Sequence, residues 1–138
     1  MITLDQLITE HLESLVDSIV KDAVSQVPSY REAPLARTIE RTERWLKMLT
    51  TSVHENDPQI LERYLVAVAH ERQKEGYPVV ELHTIVQITE IRIQEIIEGS
   101  IADKVERNAL STLLEAVMGA ARMVLSVSYV LVTGSQGT

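Results

Sequence analysis

The chain has 138 residues, 45% hydrophobic and 24% charged, which fits one folded domain and excludes general disorder. Its net charge of −7 argues against nucleic acid as a partner, because phosphate backbones are held by clustered Lys and Arg. With no cysteine, no phenylalanine, one tryptophan and four tyrosines, it has no disulfide or thiolate chemistry and must build its core from aliphatic side chains.

Thr3 precedes the periodic run Leu4, Leu7, Ile8, Leu12, Leu15, Ile19 and Ala23 and is placed to cap it. That first helix is expected to end near Gln26, before a loop through Val27-Pro28-Ser29-Tyr30. Pro34 opens a second helix with Leu35, Ile39, Leu46, Leu49 and Val53 on one face. Asp57-Pro58 reads as an N-cap and a first-turn proline, and the third helix runs from there to Gly76. Pro78 starts a fourth helix with the stripe Val79, Leu82, Val86, Thr89, Ile93 and Ile96, ending at Gly99-Ser100. A fifth runs from about Ala102 to Thr133. Its Met123 to Val132 stretch is β-prone, but it continues a helical pattern without punctuation. The expectation is an all-α bundle of about five main helices with a long C-terminal helix, one domain over residues 1–133, and a flexible tail or linker start over 134–138.

Two helices carry more apolar surface than one core face requires. On the fourth, Ile88 and Ile91 lie well away from the main stripe. On the fifth, apolar residues cover about half the circumference, and only Ser111, Glu115, Arg122 and Ser126 form a polar stripe. This width is read as a homodimer seam through Leu114, Val117, Ala121, Val124, Leu125 and Val132, and Leu125→Glu is expected to break it. A central helix of a single bundle explains the same width. Val16, Val20 and Val24 make the first helix the second contributor to a seam.

Little in the chain points to chemistry. None of His11, His54, His70 and His83 has zinc-site spacing, so no metal is expected. His70 reads as solvent-facing, whereas His83 flanks the apolar stripe of its helix and is the candidate axial ligand if haem binds. Glu71 and Glu75, interleaved with Arg72 and Lys74, read as a solvated face, as do Arg37, Arg41 and Arg44 with Glu40 and Glu43. No phosphate loop or nucleophile motif occurs, so no enzyme activity is expected. The acidic, amphipathic N-terminus is not a signal peptide, and no apolar run of membrane-spanning length is read; a cytoplasmic protein without membrane contact is expected.

The most distinctive segment is Tyr64 to Pro78, ending in Arg72-Gln73-Lys74-Glu75-Gly76-Tyr77-Pro78, followed by Glu81-Leu82 and Ile91-Arg92. This pattern resembles the N-terminal domains of RsbR-type stressosome proteins, in particular the RsbRD-like variant. The resemblance implies a globin-like helical fold without haem, a homodimer, and a last helix projecting into a C-terminal STAS-type output domain. It further implies stressosome components as partners, in an assembly that sequesters a serine/threonine kinase until stress arrives. The function expected on this basis is signal sensing and dimerisation without catalysis and with no cofactor. The alternatives are a haem-binding gas or redox sensor using His83, on a face that also carries Glu90 and Gln94, and a protein-binding adaptor.

Overall fold

The computed structural model describes the backbone of residues 1–136 and the side chains of residues 1–128. Seven helices follow one another there: α1 (Leu4–Glu10), α2 (Leu12–Gln26), α3 (Pro28–Glu32), α4 (Leu35–His54), α5 (Pro58–Lys74), α6 (Val79–Ser100) and α7 (Lys104–Gln136). No strand occurs among the described residues, and the fold is all-α with a long last helix.

Local chemistry sets most of the boundaries. Thr3 forms a capping box with Gln6, each side chain accepting from the other residue's backbone N–H. Asp57 caps α5 through Gln59 N–H, with Pro58 in the first turn. The α5–α6 corner is a Schellman turn: Gly76 N–H donates to Gln73 O and Tyr77 N–H to Arg72 O, both at 3.0 Å. Gly76 takes φ +86° there, a left-handed conformation that costs glycine nothing. Asn56 plays the same part after α4 at φ 50°, with Asp57 N–H reaching back to Ser52 O at 3.0 Å.

Three local features depart from the sequence expectation. The periodicity predicts one helix over 4–26, but the chain breaks at His11, whose Nδ1 lies 3.0 Å from Leu7 O. The apolar stripe runs through the break unchanged, so no pattern marks it. The predicted loop after Val27 contains a helical turn, α3, started by Pro28 and anchored from α6: the Glu81 carboxylate accepts from Ser29 Oγ at 2.6 Å and from Ser29 N at 3.4 Å. Finally, α7 continues through Gly134–Gln136, residues assigned to a flexible tail.

The five long helices close a ring: α7 packs on α5, α5 on α4, α4 on α2, α2 on α6, and α6 on α7. The five main helices read from sequence are these, with α1 folded against α4 and α7. Inside the ring lie Leu15, Ile19, Leu46, Leu49, Ile93, Ile97, Leu114 and Met118, all essentially without solvent contact. The single buried indole is anchored as well as packed: Trp45 Nε1 donates to Thr89 Oγ1 at 2.9 Å, and Thr89 donates to Ile85 O. Arg92 grips Asp22 through two bonds of 2.7 and 2.9 Å, tying α6 to α2.

Candidate functional site

The broad apolar surface of α7 is divided between inside and outside. Leu110, Leu114, Met118, Ala121 and Leu125 face the ring and are buried against α5 and α6. Leu114, Ala121 and Leu125, three of the six residues assigned to a dimer seam, therefore belong to the core of the chain itself. Leu114 is the centre of that face, and no partner can reach it without opening the bundle. Val117 and Val124 are half-buried at its margin, and the Val132 side chain lies outside the described residues.

The surface that is open lies one step around the helix. Val105, Ala109, Leu113, Ala116, Ala120, Met123 and Val127 are all exposed. At about 100° per residue they fall within about 40° of a single line along α7. From Ala109 onward their spacing alternates four and three residues, the rhythm of a helix that packs along another helix. Met123 is 69% exposed, Val127 52% and Leu113 42%, values that leave a large part of each side chain in water. Beside this stripe, α5 and α7 enclose an apolar groove of about 310 Å3 whose walls include Leu61, Leu65, Ala116, Val117, Ala120 and Val124.

The segment Lys104–Ser128 is long and apolar enough to cross a membrane by length and composition, although it holds no unbroken apolar run of that length. Only 28% of its most apolar window is buried, which restates the open stripe in another form. The segment nevertheless carries Glu115 and Arg122 mid-length, and Arg122 is paired with Glu90 of α6.

That pair belongs to a polar seam between α6 and α7. Gln94 Nε2 donates to Ser111 Oγ at 2.9 Å, and His83 Nε2 lies 3.2 Å from Ser126 Oγ. Three of the four residues of the polar stripe read from the sequence, Ser111, Arg122 and Ser126, thus meet matching groups on α6. Burial, then the Arg122 charge, push the His83 imidazole below its ordinary value. His83 lines neither the α5–α7 groove nor the aromatic cavity described next. His70 is exposed, as its helical position predicts.

A second cavity, of about 90 Å3, lies between α4, α5 and α6 against the tip of α3. Tyr30, Trp45, Tyr64, Leu82, Ile85 and Val86 contribute to its wall, together with the guanidinium groups Arg41 and Arg72. Arg72 is buried, with its guanidinium carbon 5.7 Å from the centre of the Tyr30 ring and Glu75 at 3.7 Å. Arg41 is half-buried, and burial followed by the Arg72 charge lowers its pKa. Reading Arg72 as part of a solvated face is therefore wrong: it is buried with its flat cation over the Tyr30 ring, while Arg41 sits half-buried at the cavity wall. Burial pushes the Tyr30 and Tyr64 hydroxyls up, so both stay protonated at neutral pH.

No cluster of three or more His, Asp or Glu side chains with metal-holding geometry occurs among the described residues. No family model, curated protein or solved structure matches the chain.

Proposed function

We propose that this chain is a non-catalytic signal-sensing and dimerisation domain that pairs with a second copy through the outer stripe of α7. The observation that carries this reading is the run of exposed apolar side chains from Ala109 to Val127 in four-three spacing. The alanines at 109, 116 and 120, with Gly119 beside them, let a second helix approach closely, while Leu113, Met123 and Val127 supply the area to bury. A lipid surface is the poorer occupant. Membrane-lying helices flank their apolar face with Lys and Arg, whereas this stripe is bordered by Thr112 and Ser126 on a chain of net charge −7.

In this reading α7 is both seam and relay. It touches the ring through α5 and α6, so a change in the packing of those helices tilts or slides α7 against its copy. The stressosome-type assignment rests on the Arg72-to-Pro78 corner and its continuation to Arg92, and it brings the globin-like, haem-free fold, the cytoplasmic location and the STAS-type output domain as parts of the same proposal.

The chain has no cysteine, so single cysteines test the seam directly. Ala116→Cys or Ala120→Cys is expected to give an intermolecular disulfide under mild oxidation, because seam positions bring Cα atoms within about 7 Å. Glu115→Cys, off the stripe, is expected not to. Equal crosslinking at all three positions, or none at either alanine, would sink the seam.

A further inference from the structure

The cavity between α4, α5 and α6 combines two features that a plain core does not. Its wall is mostly aromatic and aliphatic, yet Arg41 and Arg72 share it, and burial followed by the Arg72 charge raises the cost of charging Arg41. A buried cation is ordinarily matched by a carboxylate. Among the described residues the match is incomplete: buried Arg72 pairs with Glu75 alone, at 3.7 Å and itself exposed, and half-buried Arg41 feels the Glu75 charge but has no carboxylate within ion-pair distance. The other charged groups lining the cavity are Arg44, held by Glu40 at 3.2 Å, and the exposed Glu71.

The volume is also more than packing slack. A water needs about 10–15 Å3 of such space, so about 90 Å3 admits a group several atoms long. We infer that this cavity is a binding site for a small organic carboxylate, whose charged end sits between Arg41 and Arg72 and whose short apolar body lies against Tyr30, Trp45, Val68 and Ile85. An anion there relieves the repulsion between the two arginines, and a guanidinium fork matches a carboxylate in two parallel hydrogen bonds. The surrounding aromatic and aliphatic wall favours an organic acid over a bare inorganic anion. The inference is independent of pairing through α7, since every residue in it belongs to one copy and none lies on the outer stripe.

Trp45, the only tryptophan, lines the cavity and reports on it. Hexanoate titrated into the intact chain is expected to shift Trp45 emission saturably and to raise the melting temperature, while neutral hexanamide does neither. Arg41→Gln is expected to weaken hexanoate at least tenfold with its helical circular dichroism unchanged. Val68→Phe, which fills the cavity from a half-buried position, is expected to abolish the response and serves if Arg41→Gln does not fold. An unsaturable drift, an equal response to hexanamide or to inorganic phosphate, or full affinity in either folded variant would overturn the assignment.

Discussion

Met123→Glu separates association from folding more cleanly than any other single change in this chain. Burying a whole methionine side chain contributes about 1.5–3 kcal/mol. Met123 is 69% exposed in the single chain, so a partner can cover about two-thirds of it, which is about 1–2 kcal/mol per copy. A two-fold pair contains the residue twice, giving about 2–4 kcal/mol, or about a 30- to 1000-fold loss of dimer affinity. Repulsion between the two new carboxylates adds to that. Within one copy the side chain is mostly exposed and the substitution keeps a good helix former, so unfolding stability should move by less than about 0.5 kcal/mol. Sedimentation velocity at matched concentrations, beside thermal melts, reads both quantities. A folded Met123→Glu protein that associates as strongly as its parent would refute placing the seam on this stripe.

Other substitutions test the interior. Leu125→Glu buries a carboxylate at a core position and is expected to unfold the chain rather than yield a folded monomer, read as lost helical circular dichroism. Leu114→Ala should cost about 2–5 kcal/mol in urea denaturation, because the side chain is fully enclosed where α7 meets the ring. Gly76→Ala should destabilise by about 1 kcal/mol through the left-handed backbone alone, since an added Cβ meets no atom within 4 Å. For His83, the folded pKa lies below the ordinary 6.5, so the unfolded chain binds the proton first. That stability is present above pH 6.5 and is lost as pH falls toward the folded value; His83→Gln should remove this part of the pH dependence of the melting temperature.

Boundaries governed by neighbouring residues were legible in the sequence. Thr3 before its apolar run, Asp57 with Pro58, and Gly76 with Pro78 each fix backbone geometry within one turn, and the structure uses them so. The five long helices were equally plain, because each carries an apolar stripe of helical period. What failed to show depended on partners far along the chain. The α3 turn starts at Pro28 but is anchored by Glu81, 52 residues from Ser29, and that contact has no local signature. Arg41 and Arg72 look like surface charges because helical spacing places them beside Glu40 and Glu71. Both instead line the cavity beside Tyr30, a residue more than ten positions from Arg41 and more than forty from Arg72. For α7 the sequence showed how broad the apolar surface is, but not which edge points inward. Three of the six seam positions, Leu114, Ala121 and Leu125, are buried in the bundle, and the open edge is Leu113, Ala116, Ala120 and Met123.

Pairing through α7 is the claim on which the relay reading depends, and the mass of the unaltered chain in solution tests it most directly. Light scattering over a dilution series is expected to give twice the chain mass of 15.5 kDa, holding through the micromolar range. A mass of one chain at every concentration would contradict the account and leave the outer stripe of α7 to a different protein.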